Sequence, residues 1–317
     1  MKPLELVFTL LLIFGLTLAQ DAATPTENET PEQPTSTEIT TESDTAIEPE
    51  VIIPEKPVGS MTIDRKDRTI LVSLFAPSEE GGEFRLNVPE CEKDIRFSTI
   101  YAPKPYLVET KVNEAIITSQ IALSRRPPNV ENEAGEIIER GADKQKLELV
   151  GGTLKVNQET LCPEDIERTE TADVTLKEGR TTVLGANFLY DNSTGIGKMK
   201  GPITLDRVAE GDSPALNATS DSLETNVDED KTYLTGNVKV TSEDRVSEAA
   251  TLEYNEEEGQ AILRGTEETP AKSTKGNDVL QGDVIIYFLD TNDVVVQGNL
   301  QGDIEVDLED EGSSSGE

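Results

Sequence analysis

The sequence predicts an all-β protein: a long, repetitive sheet with one hydrophobic face. Three observations carry this expectation. Val294, Val296, Gly298, Leu300, Gly302, Ile304, Val306 and Leu308 take every second position, with mostly polar residues between them. A strand sends alternate side chains to opposite faces, so this pattern makes one face greasy or small and the other wet. No stretch after residue 20 shows the 3.6-residue apolar period of an amphipathic helix. Glycines stand in the middle of strand-like runs at 201, 236, 265 and 298, at intervals of roughly 30 residues.

Taken in order, the elements begin with a leader. An apolar run from Leu6 to Leu18 ends in Thr17-Leu18-Ala19, which offers small residues where a signal peptidase reads. A signal over 1–19 is expected. The alternative, a retained anchor, is opposed by a run that is short for a bilayer span. Residues 20–58 are rich in Thr, Glu, Pro and Ser and carry too little apolar area to offset ordering entropy, so they read as a tether. A first β region follows over 59–130. Ile70, Val72 and Leu74 share one parity, as do Phe84, Leu86 and Val88, then Ile95, Phe97 and Tyr101, then Ile117, Ile121 and Leu123. Gly and Pro punctuate these runs as turns. The polar segment 131–144 reads as a loop. A second β region spans 145–308, with a bulge expected at Gly151-Gly152, and 309–317 is an acidic tail.

Composition excludes several functions. The net charge is −35, which repels nucleic acid and anionic membranes. Nucleic acid is therefore not an expected partner. No His occurs, so His-based triads and His metal sites are absent, and no catalytic residue, metal or cofactor is assigned. Carboxylates are too abundant to mark a hydrolase, and the acidic clusters lack calcium-loop spacing, so they read as solvated surface. Two cysteines, Cys91 and Cys162, are a disulfide candidate in an exported chain, against two buried thiols as the alternative. Asn192-Ser193-Thr194 and Asn217-Ala218-Thr219 fit the glycosylation pattern, a coincidence in a chain this rich in those residues.

The second region is a degenerate repeat. Ala186-Asn187-Phe188-Leu189-Tyr190-Asp191 parallels Ala250-Thr251-Leu252-Glu253-Tyr254-Asn255. Each leads through a polar turn into a strand with Gly near its middle, which suits a sheet bent along a regular crease. Thr232-Tyr233-Leu234-Thr235-Gly236-Asn237-Val238-Lys239-Val240, Gly259-Gln260-Ala261-Ile262-Leu263-Arg264-Gly265 and Gly282-Asp283-Val284-Ile285-Ile286-Tyr287 together resemble the OstA-like (LptA-type) family. The resemblance covers about 145–308.

It implies an extended, open β-jellyroll, or β-taco, whose interior takes lipid acyl chains without enzymatic activity. It further implies export to the periplasm of a two-membrane bacterium, with lipopolysaccharide-like or other envelope lipid as cargo. Like-folded transport proteins would be joined by edge-strand pairing, and copies of this chain head to tail. The groove candidates are Leu184, Phe188, Tyr190, Leu234, Val238, Val240, Leu252, Tyr254, Val284, Ile286, Phe288, Val296, Leu300 and Ile304. The alternative is a structural envelope protein whose aliphatic rows form a closed core. The chain departs from the family in its additional region 59–130, its tether and its acidity. The acidity disfavours a heavily phosphorylated headgroup.

Overall fold

The computed structural model describes residues 53–303 except 66–67, 93, 169–172, 212, 227–230, 257 and 292. The expected signal, most of the tether, the acidic tail and Ile304 lie outside the described residues. The chain begins with β1 (Gly59–Arg65), β2 (Arg68–Phe75), β3 (Glu83–Glu92), β4 (Ile95–Tyr101), β5 (Leu107–Val112), β6 (Ala115–Ser119) and β7 (Ile121–Arg126). The segment read as a loop holds a small hairpin, β8 (Val130–Glu131) with β9 (Ile137–Glu139), and a 3-10 turn, Gly141–Lys144. β10 (Lys146–Val150) then precedes a second hairpin, β11 (Gly152–Val156) with β12 (Pro163–Arg168). Gly151-Gly152 is thus a corner between two sheets, not a bulge within one strand.

The second half comprises β13 (Val174–Glu178), β14 (Thr181–Gly185), β15 (Asn187–Asp191), β16 (Ile196–Arg207), β17 (Leu216–Asn226), β18 (Lys231–Ser242), β19 (Arg245–Asn255) and β20 (Gln260–Arg264). It closes with β21 (Ala271–Lys275), β22 (Asp278–Gly282), β23 (Val284–Phe288), β24 (Asp293–Gln297) and β25 (Gln301–Asp303). Apart from the two hairpins, all strands form one 21-stranded sheet with antiparallel pairing throughout.

That sheet is creased. One half-sheet runs β1-β2-β5-β6-β13-β14, passes through one end of each of β16 to β19, and finishes β21-β22-β25. The other runs β3-β4-β7-β10-β15, passes through the opposite ends of β16 to β19, and finishes β20-β23-β24. Only β16 to β19 are long enough to cross the crease. Their registers shift there, between Lys200 and Ile203, Thr219 and Ser222, and Thr235 and Val238. The four recurrent glycines all sit on this line. Gly236 has φ +82 and Gly298 φ +86, a left-handed conformation that disfavours other side chains. A corner device repeats with them. Asn237 Nδ2 donates to Asp221 at 2.8 Å, and the Asn299 amide and side chain donate to Asp283 at 3.2–3.3 Å.

The apolar core lies between the half-sheets and draws on both, with Val72, Val183 and Leu205 facing Phe188, Leu223 and Leu263. The N-terminal region 59–130 is therefore a continuation of the same creased sheet, joined through β6–β13 and β7–β10 pairing. A smaller core on the outer side gathers Phe97, Ile121, Leu123 and Val150 under Leu154 and Ile166 of the β11–β12 hairpin.

Candidate functional site

The site is the mouth where the two half-sheets face each other opposite the crease. Two clasps pin it. At the first, Asn192, just after β15, donates from Nδ2 to the carbonyl of Ala142 at 2.8 Å and of Asp64 at 3.2 Å. Asn192 is 2% exposed, which removes it as a glycan acceptor. Neighbouring Asp191 is desolvated by burial, but hydrogen bonds from the Ser193 hydroxyl and amide, with Lys146 at 3.3 Å, hold its pKa below the ordinary carboxylate value.

The second clasp is ionic. Arg207 ends β16 in phase with the core residues Ile203 and Leu205, so its side chain is only 1% exposed. Its Nε donates to both Glu256 oxygens at 3.2 Å from across the mouth. Nη1 donates to the carbonyls of Pro214 at 3.0 Å and Leu289 at 3.4 Å, and Nη2 to Ser213 Oγ at 2.9 Å. Arg180, in the β13–β14 turn, adds a 2.8 Å bond to Glu256. Tyr254 hydrogen-bonds both Glu256 and, at 3.1 Å, Thr181. A buried guanidinium needs this many acceptors to offset its desolvation.

Between the clasps the lips stay apart. A cleft of about 880 Å³ is floored by Leu176, Val183, Leu205 and Tyr254. It narrows into a space of about 90 Å³ against Ile117, Phe188, Tyr190 and Leu223. In this window apolar core residues meet an open cleft. Glu114, Glu178, Glu210 and Glu256 ring it, with Arg180.

Residues 140–260 match the family model of the "LptA/(LptD N-terminal domain) LPS transport protein". Over that segment the chain is similar to the OstA-like, LptA-type family. Among solved structures, it resembles LptH of Pseudomonas aeruginosa, described as the LptA-homologous periplasmic component of the conserved lipopolysaccharide transport device. Identity is 12% over 40% of this chain and 95% of that one, with a TM-score of 0.33. No curated protein gives a significant match. The LptA-type segment holds all four crease-crossing strands, both clasp residues Asn192 and Arg207, and most of the window.

The groove candidates divide by position. Phe188, Tyr190 and Tyr254 line the window. Leu234, Val238, Val240 and Leu252 are packed in the core at 0–1% exposure. Val296 packs on the core edge, while Leu300 sits at the last corner, 65% exposed. Leu184, Val284, Ile286 and Phe288 are on the outer face, a correction to the sequence reading. The inward residues are Val183 in β14 and Ile285 and Tyr287 in β23. In the sequence Leu184, Ala186 and Phe188, like Gly282, Val284 and Ile286, form an unbroken alternation, but β14 ends at Gly185 and β22 at Gly282, the chain turns at Ala186 and Asp283, and the phase resets. Val294 to Leu300 is likewise not one strand, since β24 ends at Gln297.

Sequence reasoning missed the ionic clasp. Its charges resemble solvated turn residues. The available signal was an Arg at an inward-phase position, 207 after 203 and 205.

Proposed function

We propose that this chain receives hydrocarbon tails of an envelope lipid, lipopolysaccharide-like or another, through the window between its clasps. It holds them in the creased sheet and hands them on between the inner and outer membranes of a two-membrane bacterium. The observation that carries this reading is the window itself: a cleft whose floor runs directly into Phe188, Tyr190 and Leu223 in a family of lipopolysaccharide transport proteins. Each methylene buried there contributes about 0.8 kcal/mol without a directional bond, so a tail is held yet slides. Its action is that of a carrier, not an enzyme. Partners of like fold pair with the terminal strands: β1 and β3 at one end, β24 and β25 at the other, each bonded on one side only among the described residues.

Delipidated protein titrated with a fluorescent fatty-acyl probe tests this. Saturable binding is expected, lost in Leu176→Asp at the window and retained in Ile286→Asp on the outer face, with both variants folded by circular dichroism. A second reading, a structural envelope protein, is favoured by the complete burial of Leu234, Leu252 and Leu263. Folded protein that binds no probe establishes that reading instead.

A further inference from the structure

The window's rim specifies the head of the amphiphile as well as its tail. Four carboxylates, those of Glu114, Glu178, Glu210 and Glu256, surround the cleft. The cation among them, Arg180, is turned to carboxylates already, at 2.8 Å from Glu256, 3.6 Å from Glu210 and 3.8 Å from Asp290. Arg207 behind it is buried and committed to Glu256, Ser213 and two main-chain carbonyls. Among the described residues, no lysine lines the cleft. The remaining polar lining is made of hydroxyls and amides: Thr181, Thr225, Thr232, Asn113 and Asn226. A phosphorylated head held at this rim would meet like charge at a separation within a Debye length, about 8 Å at physiological salt, with no guanidinium presented to it in the bidentate fashion such groups require. A hydroxyl-rich, uncharged head meets the reverse: carboxylates and carbonyl oxygens accept its O–H groups, and the threonine hydroxyls and amides complete the pairing.

We infer that the window selects an alkyl chain carrying an uncharged, hydroxyl-rich head, that of a neutral glycolipid, over one with an anionic head. This rests on the tail-binding reading above and narrows it. The head stays outside, at the rim, while the tail enters past Leu176 toward Phe188 and Tyr190.

The test uses the delipidated full chain and two soluble probes of equal tail, dodecyl maltoside and dodecyl phosphate, each below its micelle concentration and each competing with the fluorescent acyl probe. At low salt the maltoside displaces the probe at a concentration at least tenfold lower than the phosphate, and added salt narrows the gap. Replacing two exposed rim carboxylates, Glu114→Gln with Glu210→Gln, also narrows it by strengthening phosphate binding. Phosphate binding equal to or tighter than maltoside binding overturns the head preference and leaves tail binding intact. A gap unmoved by salt and by the double substitution overturns the rim's role. Failure of both detergents and of the acyl probe to bind folded protein removes tail binding and this inference together.

Discussion

Tyr287 shows how single residues hold the two half-sheets together. It lies on β23 of one half-sheet, and its hydroxyl meets that of Ser247, on β19 in the other, at 2.5 Å. Ser247 is fully buried. Burial is the chief cause of a Tyr287 pKa raised above 10.0, with the Ser247 bond pulling modestly the other way. A folded pKa above the unfolded one means the folded state keeps its proton longer. The contribution of this residue is therefore complete below pH 10.0 and is lost as pH climbs through the folded value. Tyr287→Phe removes the titrating group and leaves Ser247 without that partner, at a cost of about 1 kcal/mol near neutrality. Urea midpoints measured from neutral to strongly alkaline pH should show a lower plateau in the variant and a shallower alkaline decline. Parallel curves would place the tie elsewhere. Tyr287 was hidden from sequence reasoning by one slip of phase. Gly282 does face inward opposite Ala271, but the corner at Asp283 resets the alternation, so Tyr287 replaced Ile286 as the inward residue. A period-2 pattern identifies strands well and is blind to corners, because a corner changes parity without changing residue type. Arg207 illustrates the converse: its phase was legible, and only the expectation that charge is solvated concealed it.

Among the elements, the β11–β12 hairpin is the addition that a simple creased sheet would not require. β7 is buried on both faces through Ile121, Ala122, Leu123 and Ser124, so its outer side needs a cover. The hairpin supplies one with Leu154 and Ile166, and Cys162 beside it is joined by a disulfide to Cys91 of β3. Arg125 reinforces the layer, stacking 5.1 Å from the Phe97 ring and pairing with Glu92 and Glu148 at 3.2 and 3.1 Å. The bridge closes a separation of 71 residues, which on chain entropy alone stabilises by ~4 kcal/mol. Cys162→Ser should lower the urea midpoint accordingly and speed amide exchange in 152–168 more than in β16 to β19. An unchanged midpoint would show that apolar contacts alone seat the hairpin. The strands of the main sheet were legible because they alternate, and the crease because its glycines recur. The hairpin's role was not, since its sequence offers only Leu154, Val156 and Ile166 among polar neighbours and its docking surface comes from β4 and β7, far away in the chain.

At the scale of the whole described sheet, the two clasps decide what the crease can do. Two half-sheets joined along one line would either spread or collapse. The contacts at Asn192 and Arg207 fix their separation at two levels and leave the window between. The two are not equivalent. Asn192 binds two main-chain carbonyls and carries no charge, so it is insensitive to salt. Arg207 is a buried cation, and Glu256 is its carboxylate partner at hydrogen-bonding distance, with Asp290 at 3.6 Å. Breaking a fully buried pair costs ~3–5 kcal/mol, because the abandoned charge stays desolvated. Glu256 is 42% exposed, so water screens part of that loss and Glu256→Gln should cost about 1–3 kcal/mol. The pair Lys198–Glu224, at 2.8 Å, isolates the cause. Its carboxylate is also 42% exposed, but its cation is 62% exposed instead of 1%. Glu224→Gln should therefore shift stability by less than ~0.5 kcal/mol. Equal losses in the two variants would mean that burial of Arg207 does not govern the clasp. If it does govern, Glu256→Gln also frees one lip of the window, and the acyl probe should both enter and leave faster than in the wild type. Glu224→Gln should leave those rates alone, because the ends of β16 and β17 that carry Lys198 and Glu224 lie side by side in one half-sheet and their pairing does not set the distance between the lips.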